Sequence, residues 1–189
     1  VNQYRRSNQL DKNWQNLGLQ GFADYAARLE THADWSQQVA QLPAPVLDTL
    51  AVQLENQPLN HKLAKAFIER GQLSNVEGEK VTCLRAVSQT PDAGSRQQWL
   101  TQLMASDVIT GVEVLATITS KCSNDLLDQH LMGLFLHQCA HDQGIFNGLV
   151  QELMYRPKLR SVVLAAFRAP ERNPQLIQAI GSLMGQSQS

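Results

Sequence analysis

The chain has few cysteines, few aromatics, no long apolar run and no surplus of either charge. Its three cysteines, Cys83, Cys122 and Cys139, form no CxxC pair. So sparse and odd a set argues against a disulfide framework and fits a reducing compartment. The apolar runs are short, VVLAAF at 162–167 being typical, whereas a membrane helix needs about 20 such residues. With 16 basic and 17 acidic residues the formal charge is −1, which supplies no general attraction to nucleic acid or to an anionic membrane. No segment sustains the alternation of a half-buried strand. GxxxxGK[ST], GxGxxG and GxSxG are all missing, and no Glu has a His three residues on, as di-iron helical proteins require. The opening VNQYRRSNQ is polar and begins without Met, which suggests a fragment of a longer protein.

What remains is helical. Aromatics are 6% of the chain, and Leu, Ala and Gln are abundant. Over Leu17–Glu30, residues Leu19, Phe22, Ala26 and Leu29 recur at the three- and four-residue spacing of one buried helix face. Trp35, Val39 and Leu42 continue that spacing. Punctuation repeats as well. Pro58, Pro91, Asn124 and Pro157 form one column about 33 residues apart, and Pro45, Gly78, Gly111 and Gly144 form another. Four blocks follow, at 42–74, 75–107, 108–140 and 141–173. Each reads as helix, breaker, helix. Proline suits a helix's first turn, and glycine is expected to supply positive φ between hairpins.

Residues 174–184 read as a capping helix, and 17–42 as a diverged first hairpin. The expectation is a single all-α domain over 1–189, built as stacked antiparallel hairpins in an α-solenoid of HEAT or TPR type. An irregular helical bundle is the alternative.

HLMGLFLHQCAHD, at 130–142, concentrates ligand types. On one continuous helix His130, His137 and His141 would share a narrow face, with Leu131, Phe135 and Cys139 turned to the core. His137 and His141 have the spacing of a helical chelating pair, but the residues between them lack the catalytic Glu of HExxH. The 33-residue period also places a turn after Ala140. The doublet His141-Asp142 resembles HD-type phosphohydrolases, which would make His137, His141 and Asp142 metal ligands. Asp142 is the last Asp in the chain, so the distant Asp of that pattern is missing. No cofactor is expected.

Basic residues gather late, with Arg156, Lys158, Arg160, Arg168 and Arg172 near Glu171. They could hold phosphates. The plainer reading is a solvated face with cations at helix C-termini. Trp14, Tyr25, Trp35 and Trp99, with Met132 and Met154, read as core rather than as a groove.

WQNLGLQGFADYAARLE (14–30), LPAPVLDTLAVQLENQPL, AHDQGIF and RPKLRSVVLAAFR resemble a bacterial family of unknown function, domain 3549. The resemblance implies a bacterial, cytoplasmic protein of which this is the C-terminal part. It implies no activity. The first expectation for function is a non-enzymatic module that holds a protein partner, or another part of its own chain, on the surface of the stack. The alternatives are a metal-dependent hydrolase at His137, His141 and Asp142, and nucleic-acid binding through residues 156–172.

Overall fold

The computed structural model describes residues 38–91 and 93–186, together with 21, 23 and 26. Among these residues there are nine α-helices and no strand. The chain divides into two compact units, 1–96 and 97–189. Of the expected helix over 17–30 only residues 21, 23 and 26 are described, and they are helical; Trp14, Tyr25 and Trp35 lie outside the described residues. Ala26, Val39 and Leu42 are described, and all three are buried.

The first unit contains α1 (Ala44–Leu54), α2 (His61–Leu73) and α3 (Glu77–Val87). Pro45 sits in the first turn of α1, where a missing N–H is harmless. One face of α1 then buries Val46, Leu47, Leu50, Ala51 and Leu54. The Asn60 side chain accepts from the Leu63 N–H at 2.9 Å and starts α2, which buries Leu63, Ala64, Phe67 and Ile68. Both helices pack on α3 through its Cys83, Leu84, Ala86 and Val87. Each large side chain so buried contributes about 1.5–3 kcal/mol. Helix α4 (Ala93–Met104) spans the division between the units.

The second unit contains α5 (Val112–Lys121), a 3-10 turn (Asp125–Leu127), α6 (Gln129–Cys139), α7 (Gln143–Met154), α8 (Pro157–Ala166) and α9 (Pro174–Gln186). Helix α7 packs on α5 and α8, α6 packs on α7 and α8, and α9 rests on α6 and α7. Phe135, Phe146, Leu153 and Val163 are buried at the centre. The Phe146 and Phe167 rings stack at 6.2 Å between centroids. Leu131, Phe135 and Cys139 are all buried, as their spacing predicts. Trp99 and Met132 are core residues too, while Met154 is half-buried.

Two expectations are corrected. The pattern of helix, breaker, helix reads residues 125–139, after the Asn124 breaker, as one second helix, and they do not form one. Asp128 breaks the run with ψ 124°, and its carboxylate accepts from the Leu131 N–H at 2.8 Å, so a fresh helix starts there. The glycine column does not mark positive-φ turns. Gly111 is the N-cap of α5 with φ −64°, and Gly78 and Gly144 lie inside the first turns of α3 and α7. Those positions begin helices, and helix starts need no left-handed residue. The proline column falls between the paired helices. Pro58 and Pro91 precede α2 and α4, Asn124 opens the 3-10 turn, and Pro157 is the first residue of α8.

Candidate interaction surface

The loop between α2 and α3 is a tight, braced turn. The Ser74 N–H donates to the Arg70 carbonyl at 3.0 Å, and the Val76 N–H donates to Ser74 Oγ at 3.1 Å. The Arg70 guanidinium closes the turn from below. Its Nε donates to Glu79 Oε1 at 2.9 Å, its Nη2 reaches the same oxygen, and its Nη1 donates to the carbonyls of Val39 and Leu42. Against the raising effect of burial, the Ser74 hydroxyl and then the Arg70 guanidinium hold the Glu79 carboxyl below its ordinary value. On this frame Leu73 is 84% exposed and Val76 is 64% exposed.

The loop between α4 and α5 is built by other residues to the same end. The Val108 N–H donates to Ser106 Oγ at 3.1 Å. Gln138, buried near the end of α6, uses every part of its amide. Its Nε2 donates to the carbonyls of Met104 (3.1 Å) and Ser106 (3.0 Å), and its Oε1 accepts from the Thr110 N–H at 3.0 Å. The Thr110 hydroxyl is buried without a partner. Above this support Val108 is 74% exposed, Ile109 is 61% exposed, and Val112 is half-exposed. Asp107 and Glu113 are exposed on either side.

These two turns were not singled out by composition or ligand type. The signal was present in the chain all the same, as Ser-Asn-Val at 74–76 and Ser-Asp-Val at 106–108. Ser and Asx compete locally for backbone N–H groups and so nucleate such turns. A valine following them into solvent is the unusual feature.

The histidine-rich stretch is arranged differently from a chelating site. Helix α6 ends at Cys139, and Ala140–Asp142 form a turn. His130 and His137 are on α6 and His141 is not, so the helical chelating pair does not form. The physical reason is Asp142, which has extended backbone (ψ 121°) and whose carboxylate accepts from the Ile145 N–H at 2.9 Å to start α7. His137 is half-buried, and that burial holds its imidazole below the ordinary value. Among the described residues no three His, Cys, Asp or Glu side chains gather as metal ligands would. All three cysteines are buried and none forms a disulfide, with burial pushing the Cys83 thiol up to about 12 and the Cys139 thiol up as well.

Three of the five late basic residues hydrogen-bond to other groups of the chain. Arg156 donates to Ser123 Oγ and, at 3.0 Å, to Glu152. Arg160 Nε donates to the Met154 carbonyl at the end of α7. Arg172 donates to the carbonyls of Phe167 and Ala169 beyond the end of α8. Cations placed on helix-end carbonyls offset the negative end of the helix dipole. Lys158 and Arg168 are exposed.

No described helix is long and apolar enough to cross a membrane. No curated protein and no solved structure matches the chain. The match that exists is to DUF3549, described as a protein of unknown function, and it covers residues 1–184. So long a match places this chain in the DUF3549 family.

Proposed function

We propose that the chain is a non-enzymatic helical-repeat module, a stack of αα-hairpins that holds a protein partner on the turns between hairpins. The repeat reading is supported by where the two punctuation columns fall. One column lies at the starts of α1, α3, α5 and α7, and the other lies between the two helices of each block. It is supported also by hydrogen bonds that step about one period along the chain. Ser88 Oγ donates to the Glu55 carbonyl 33 residues earlier, Thr90 Oγ1 to the Leu59 carbonyl 31 earlier, and Gln138 to the Met104 carbonyl 34 earlier. A hairpin that cannot bury its own apolar face is completed by the next one.

The observation that carries the binding role is the pair of braced, exposed apolar turns. Leu73 and Val76 stand at one, and Val108 and Ile109 at the other. Val76 and Ile109 are one 33-residue period apart in the sequence. A solvated turn gains nothing from Val or Ile in water. A rigid turn that already holds its apolar groups in place loses little further entropy when a partner covers them. The test is site-specific photocrosslinking in the native cell, with a benzophenone residue placed at 76 or 109 and, as a control, at exposed Ala165 on α8. Discrete protein adducts at 76 and 109 and none at 165 are expected. Adducts at all three sites, or at 165 alone, would remove the reading.

A further inference from the structure

We draw no further inference here: the strongest candidate, the half-exposed apolar face of α9 that carries Ile177 and Met184, is an unpartnered helix face, and nothing in the structure shows what covers it.

Discussion

At the scale of the residue, several chemically suggestive side chains turn out to be occupied by the fold. Asp142 is a helix cap, Arg160 and Arg172 sit on helix-end carbonyls, and the three thiols are buried. His137 is different, because its burial has a measurable consequence. Desolvation lowers its folded value below the ordinary 6.5, so the unfolded chain takes up the proton first as the pH falls. The stability it contributes is therefore complete above 6.5, declines as the pH drops through that value, and levels off below the folded value. In His137→Gln this component vanishes. Urea unfolding at about pH 7.5 and about pH 5.5 should show a smaller loss of stability for the variant than for the parent chain. An identical or larger loss in the variant would mean that the imidazole is not desolvated.

At the scale of the element, apolar spacing was readable and polar bracing was not. The face carrying Leu131, Phe135 and Cys139 follows from three- and four-residue recurrence. The helix start at Asp128 and the turn at Ala140–Asp142 depend on which Asp lends its carboxylate to the backbone, and composition does not decide that. The two exposed turns were legible only as a repeated Ser-Asx-Val, a pattern too short to stand out before its geometry was known. Gln138 and Arg70 were invisible for a further reason. The backbone groups their side chains bond are 28 to 34 residues away, so local sequence carries no trace of those bonds. Arg70 gives the sharpest test at this scale. Replacing it with Met leaves the Glu79 carboxylate without its cation and frees the Val39 and Leu42 carbonyls. Arg70 and Glu79 are 13% and 19% exposed, so solvent screens the pair only in part. Arg70→Met is expected to cost about 2 kcal/mol in urea unfolding. It should cost less once Glu79→Gln has removed the stranded charge. Additive effects of the two substitutions would show that the ion pair is not what braces the turn.

At the scale of the whole molecule, the question is how far a perturbation spreads. The side-chain bonds of Ser88, Thr90 and Gln138 step about one period along the chain, and α1 and α2 both pack on α3. If the hairpins form the stack proposed above, each is stabilised through its neighbours and damage should be felt locally. A single cooperative globule would behave otherwise, since any core defect lowers protection everywhere by the same factor. Ile68→Val separates the two cases. The side chain is buried in the first unit, and removing one methylene costs about 1 kcal/mol. Native-state hydrogen exchange should then show protection in α1, α2 and α3 falling about fivefold, with the amides of α7 and α8 unchanged. A uniform fall across all of these helices would contradict nearest-neighbour coupling and favour an irregular bundle. Retention in α7 and α8 would mean that the α4–α5 turn stays braced while the first unit opens, since Gln138 on α6 supports that turn from within its own unit.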